Sequence, residues 1–464
     1  MTQRRGATIA WAAYGGGAGL MAVVAIVAWG RALLVAGPVL YGEGAVAHAA
    51  ILTRTLETYR SSGGPTFTAA NYPPLYFIGA ALGDPFVTGR ILSIAATLTV
   101  AGLIGWRARQ SASGRGRLVP VVLALGWLAL APVAIWGPAL KPDLVALALT
   151  VAAVLSLERR RAGLCAVLLV LAIVAKPTAI IVAIALLAWL VRRDRALLRR
   201  SLGVAAIALV VTAFALLPFG YEGLWRHVVV WNALPWSAEQ AAPLIFLGVA
   251  MLTALVVGAV ISRAIRGPIA AYLVAAVVVA LLGGREGATI NYLLDLTAAA
   301  SLALASVAPA LARAPHYPAA ALANLLIAVA LINPLGIVPG RAATTGAWGD
   351  LTRLTSAEVA LAGDEVVLAE DSGLLVATGH RVVIDDLFLW SRLVARGTID
   401  PLPVLEDVRS ARFTAIVSGV DLGHLGEAAA YEQARWEPSL VQAIELRYRL
   451  ASGLPGGLFV YRPR

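Results

Sequence analysis

The chain alternates between long apolar runs and short polar stretches. A helix that crosses a bilayer needs about 20 apolar residues, fewer where the bilayer thins. Runs of this kind lie near residues 9–36, 86–106, 118–137, 142–157, 163–175, 177–191, 201–218, 241–262, 268–282, 289–310 and 318–337. They predict an α-helical polytopic membrane protein of about eleven spans. Residues 1–338 form this transmembrane domain, with a long first loop at 37–85. Beyond it the pattern shortens. Residues 366–369, 381–384, 413–417 and 458–461 predict strands, and 387–396 and 404–412 predict helices. Strands that alternate with helices predict a small α/β domain over 339–464.

Charge orients the spans. Arg4, Arg5, Arg107, Arg109, Arg115, Arg117, Arg159, Arg160, Arg161, Arg192, Arg193, Arg195, Arg199, Arg200, Arg263, Arg266 and Arg313 all fall on one side if the spans alternate. By the positive-inside rule that side is the cytoplasm. The N-terminus is then cytoplasmic, and an odd number of spans puts the C-terminal domain outside. A cleaved leader is conceivable but the less favoured reading, because the later loops need the first span to keep their arginines together. The other loops are poor in arginine and rich in Trp, Tyr, Pro and Gly. Trp225, Trp231 and Trp236, in the loop at 219–240, read either as an interfacial belt or as sugar-stacking surface.

Composition agrees. Hydrophobic residues make up 60% of the chain and charged residues 14%, with a mean hydropathy of +0.82. A soluble domain is about a quarter charged. The net charge of +11 sits in short loops between apolar runs, so it answers to the membrane and not to nucleic acid. Cys165 is the single cysteine, so no disulfide forms within the chain. The abundance of Arg, Ala, Gly and Val suggests a GC-rich bacterial genome, and hence the bacterial inner membrane.

Against this background, charges at the outer membrane edge need a reason. Lys141 and Lys176 are the only lysines, and each precedes a proline at the outer start of a span. They read as snorkelling anchors or as ammonium groups facing an anionic headgroup. Glu43 follows the first span, between Gly42 and Gly44; it is a solvated loop carboxylate or a general base. Asp143 is a first-turn acid or a site residue. Asp295, just past Asn291 and Tyr292, needs an interior partner, for which Arg285 is the candidate. His48 lies near Glu43, but two ligands at that spacing do not make a metal site. No cofactor is firmly indicated; a divalent metal is possible, with no motif to support it. Residues 61–65 read as a turn, and Pro73 and Pro74 end one element and start a helix.

Taken in order, Tyr41-Gly42-Glu43-Gly44, Asn71-Tyr72-Pro73-Pro74-Leu75-Tyr76, Gly89-Arg90-Ile91-Leu92-Ser93, Lys141-Pro142-Asp143, Lys176-Pro177-Thr178 and Asn291-Tyr292-Leu293-Leu294-Asp295 resemble the GT-C membrane glycosyltransferases. These include the bacterial relatives of protein O-mannosyltransferases and aminoarabinose transferases, glycosyltransferase family 39-like. The resemblance covers most of the chain, including the segment from Gly363 on. It implies a polyprenyl-phosphate sugar as donor, an extracytoplasmic site, and an acid in the first outer loop. Members often carry an Asp or an Asp-Glu pair there, whereas this chain has Gly42-Glu43.

The expected activity is inverting sugar transfer to a glycan, lipid or protein acceptor. Glu43 acts as base, and Lys141, Lys176, Arg90 and Arg285 hold the phosphate. His48, Tyr72, Asp143, Asn291, Tyr292 and Asp295 are further site candidates. The competing readings are a lipid or solute transporter and a non-catalytic membrane subunit.

Overall fold

The computed structural model of the chain describes residues 2–60, 66–111, 118–261, 266–311, 316–332 and 347–464. The turn expected at 61–65, the boundary near 338, and Arg115, Arg117, Arg263 and Arg313 lie outside them. Each apolar run falls on helix. Among the described residues, four helices are long and apolar enough to cross a membrane: Ile9–Leu33, Pro85–Ser111, Arg195–Phe219 and Gly267–Gly284. Shorter apolar helices such as Ala162–Ala175 pack between them. Large apolar side chains face outward, Phe214 at 68% and Phe246 at 76% exposure, as a lipid-facing surface requires.

One run departs from expectation. Residues 118–137 form two helices, Val119–Leu128 and Ala131–Trp136, with Leu130 extended between them. Pro132 cannot donate the bond that would continue the first helix.

The arginine-rich ends gather on one face of the bundle. Arg107 forks onto Glu158 (2.9 and 2.7 Å), Arg160 pairs with Asp194 (2.7 Å), and Arg159 stacks on Trp106 at 3.5 Å. The C-terminal domain is attached to the opposite end. Its sheet has the order β1-β2-β4-β3, from β1 (Val367–Ala369), β2 (Ala415–Ser418), β3 (Tyr448–Leu454) and β4 (Leu458–Pro463). β1 and β2 are parallel; β4 pairs antiparallel with both β2 and β3.

Residues 381–384 do not join this sheet. Ile384 bridges instead to Phe67 of the first long loop. The reason is a shared core. Ala45, Phe67 and Ala69 of that loop and Trp231 of the next pack with Leu387, Trp390, Phe413 and Ile416 of the domain. Trp231 is therefore neither belt nor sugar platform but a core residue, tilted 5.1 Å from Phe67. At Gly44 the fit is closest: a β-carbon there would lie 2.0 Å from the Gly373 backbone nitrogen. Gly44→Ala is expected to loosen the domain at a cost of about 1–3 kcal/mol. Limited proteolysis of the full chain checks this; cleavage no faster than in the parent chain would refute it.

Asp371 supplies a pH-dependent contribution. It accepts the Gly373 N–H at the start of the helix Ser372–Thr378, and burial, only partly offset by Arg353, lifts its carboxyl from 3.8 to about 6. The folded state thus holds the proton more tightly than the unfolded chain. That contribution is complete below pH 3.8 and is lost as pH rises through about 6, roughly 3 kcal/mol in all. Asp371→Asn keeps the cap and should raise the melting temperature at pH 7.5 but not at pH 4. An equal shift at both pH values would show that the proton is not responsible.

Candidate functional site

The site sits where the bundle meets the C-terminal domain. Two Lys-Pro steps build its floor. A residue before proline is pushed out of the helical region, and Lys176, which ends the helix Ala162–Ala175, is extended at φ −148°, ψ 120°. Pro142 caps the helix Asp143–Glu158 and sets Asp143 in its first turn. Lys176 Nζ donates to Asp143 Oδ1 at 2.5 Å, and Asn291 Nδ2 donates to the same oxygen at 2.7 Å. Asp143 Oδ2 is buried and makes no hydrogen bond of full geometry; the indole N–H of Trp136, which likewise makes none, is the donor placed beside this carboxylate.

Tyr292 extends the cluster. Lys176 Nζ lies 5.0 Å from its ring centre, and Arg285 Nη2 donates to its hydroxyl at 2.6 Å. Arg285 Nη1 donates to the Asn232 carbonyl (3.0 Å), while its Nε stays unpartnered. Tyr72 lies within electrostatic reach of Asp143, Tyr292, Arg285 and Asp386.

Lys141 stands on the other flank. Its Nζ donates to the Gly42 carbonyl at 2.6 Å. Gly42 has φ +78°, and a β-carbon there would press on Lys141 Nζ at 2.9 Å, so glycine is required twice over. Burial holds the Lys141 ammonium below its ordinary value, although Asp386, Glu43 and Asp143 oppose the shift. Asp386 comes from the C-terminal domain. Its Oδ1 caps the helix Leu387–Ala395 through Leu389 N (3.0 Å) and faces the Tyr41 hydroxyl at 3.5 Å. Burial pushes its carboxyl up, against the pull of Lys141. Tyr41 is itself held by Phe388 N (3.0 Å) and by the Arg435 guanidinium 3.8 Å from its ring. The sequence reading missed Asp386, Tyr41 and Trp136. The Asp385-Asp386 step before an apolar helix is a readable cap signal; nothing local marks it as part of a site.

Three expectations are corrected. Glu43 does not face the site. It is fully buried, with Oε1 accepting Leu140 N (2.8 Å) and Oε2 accepting Val39 N (2.9 Å) and Arg90 Nη2 (2.6 Å). No oxygen is left for an acceptor's proton. Arg90 is equally committed, donating also to the carbonyls of Ala32 (2.8 Å), Val35 (2.5 Å) and Gly37 (2.5 Å). It ties down the orphan carbonyls at the end of the first span and does not reach toward a phosphate. Asp295 finds Tyr272 (3.0 Å), one turn below Asn291, and not Arg285.

His48 faces Asp385 at 3.2 Å, away from the cluster. Glu43 and His48 therefore do not fit a metal as a pair, and among the described residues no group of three or more His, Cys, Asp or Glu side chains is placed to hold one. The site thus gathers Lys141, Lys176, Arg285, Asp143, Asn291, Tyr292 and Tyr72, and leaves out Glu43, Arg90 and His48. Its cations Lys141, Lys176 and Arg285 stand beside the acids Asp143 and Asp386, and Asp295 lies within electrostatic reach of Lys176.

No family model and no curated protein matches the sequence. Two solved structures share the fold. ArnT from Cupriavidus metallidurans bound to undecaprenyl phosphate is 14% identical, with a TM-score of 0.56 over 95% of this chain and 97% of that one. The same protein in its apo state gives 15% identity and the same score and coverage. The chain therefore has the fold of these ArnT structures, and with its apolar helices it is a multi-pass membrane protein with a small C-terminal α/β region.

Proposed function

We propose that this chain is a membrane glycosyltransferase that moves a sugar from a polyprenyl-phosphate carrier to an acceptor outside the cytoplasm. One observation carries the reading: Lys141, Lys176 and Arg285, from distant stretches, converge beside acids at one edge of the helical bundle. A lipid-borne phosphate presents its charge at that depth. The shared fold with ArnT, solved with undecaprenyl phosphate, supports the same ligand class. The arginine-rich loops at the far end put this edge on the extracytoplasmic side.

In the reaction, the acceptor oxygen attacks the anomeric carbon as the bond from that carbon to the phosphate oxygen breaks. The electron pair leaves with the phosphate. Lys141, Lys176 and Arg285 stabilise the growing charge. The hydroxyl proton passes to Asp143 Oδ2, the oxygen that Lys176 and Asn291 do not hold; their bonds to Oδ1 aim the carboxylate. In-line attack inverts the anomeric centre.

Incubation of the purified chain with a panel of undecaprenyl-phosphate sugars and membrane extract, followed by mass analysis of lipid and polymer, tests this. Asp143→Asn should cut transfer about 10²–10⁴-fold; because it also strips the buried Lys176 of its partner, the melting temperature should fall, and turnover is compared well below it. No transfer of any sugar, or full turnover by the variant, would refute the corresponding claim.

A further inference from the structure

A second concave site lies beside the first. Between the helix Glu43–Thr53, the stretch that follows it and the C-terminal domain runs a groove of about 540 Å³. That volume is typical of small-ligand clefts, ~300–1,000 Å³. Its floor is apolar, from Leu52, Val376 and Val382, and its rim carries His48, Arg60 and Arg381. Glu57 pairs with Arg60 at 2.9 Å. Arg381 is exposed and forms no ion pair among the described residues, so it leaves the rim net positive.

The wall between groove and cation cluster is thin. His48 on the rim faces Asp385 Oδ2 at 3.2 Å, and the next residue, Asp386, stands at Lys141 and Tyr41. Asp385 and Asp386 are thus a wall that the groove and the cation cluster share.

We infer that this groove is the acceptor subsite and takes an anionic glycan; the inference rests on the transferase reading above. The apolar floor accepts the hydrophobic faces of sugar rings, and Arg381 with protonated or neutral His48 meets a carboxylate or phosphate on the chain. The lining has no aromatic platform, so charge and not stacking sets the selection. Carboxylated and phosphorylated glycans share this chemistry and are separated by experiment.

The test titrates the full chain in detergent with hexagalacturonate, with pentamannosyl phosphate and with neutral mannopentaose, by microscale thermophoresis. At least one acidic probe should bind, weakening with salt, and the neutral one should not. Arg381→Glu, which reverses the rim charge, and Val376→Trp, which fills the floor, should each weaken acidic binding about tenfold. Both should leave undecaprenyl phosphate binding unchanged. The preferred acidic probe identifies the group. Equal binding of the neutral probe, or unaffected binding in both variants, overturns the groove assignment. Intact lipid binding with no glycan binding overturns the groove alone. Glycan binding with no lipid binding overturns the transferase reading and the acceptor role with it.

Discussion

Arg90→Met is expected to destabilise the chain by about 3–5 kcal/mol, because it leaves Glu43 as an uncompensated charge in a dry interior. Both partners have no exposed side-chain surface. The loss goes beyond the ion pair. Arg90 also holds the carbonyls of Ala32, Val35 and Gly37, so the turn leaving the first span loses its clasp. That turn positions Gly42, and Gly42 positions Lys141.

Glu43→Gln should be milder, since the amide still accepts one hydrogen bond. In the double variant the stranded charge is gone, and it should be more stable than Arg90→Met alone by roughly 2 kcal/mol. Melting curves in detergent for the four members of the cycle measure this. A melting temperature of Arg90→Met within a degree or two of the parent would show that the pair does not hold the turn. The cycle also separates the two roles for Glu43. A general base would lose turnover at constant melting temperature, whereas a strut loses both together.

Lys141→Met should lower kcat/KM for transfer by about 10²–10³, the usual effect of removing one preorganised donor aimed at developing charge. Its fold should survive. Lys141 makes no carboxylate pair among the described residues, and its hydrogen bond to the Gly42 carbonyl contributes about 1 kcal/mol. The buried ammonium meets a phosphate with little screening by water, so its contribution to the reaction exceeds its contribution to the fold. Lys141→Arg should not restore the rate, because a planar fork does not replace a compact charge beside Gly42. The loss should fall on kcat more than on donor KM, since charge on the leaving oxygen grows only as the bond breaks. A rate within threefold of the parent would remove Lys141 from the site.

Much of this architecture can be read along the chain. A bilayer imposes its demand segment by segment, so apolar run length alone locates the helices, from the run at 9–36 to that at 318–337. The cost of charge at the membrane edge likewise picked out Lys141, Lys176, Asp143 and Arg285 before any contact was known. Strands in the small domain were harder. β3 was missed because its exposed positions carry no apolar alternation, and the run 381–384 looked like a strand while its partner, Phe67, belonged to a loop more than 300 residues earlier.

What the sequence determined by itself was the placement of the apolar helices and the identity of most charged groups that gather at one edge of the bundle, because burial in lipid or water acts on each segment alone. What only the tertiary structure decided was which charges neutralise one another. Glu43 meets Arg90 across 47 residues, Asp143 meets Lys176 across 33 and Asn291 across 148, and Tyr41 meets Asp386 across 345. A carboxylate's role depends on which lone pairs remain free after packing. That depends on geometry between distant elements, so both oxygens of Glu43 are taken up by Arg90 and backbone N–H groups, whereas Lys176 and Asn291 hold only one oxygen of Asp143.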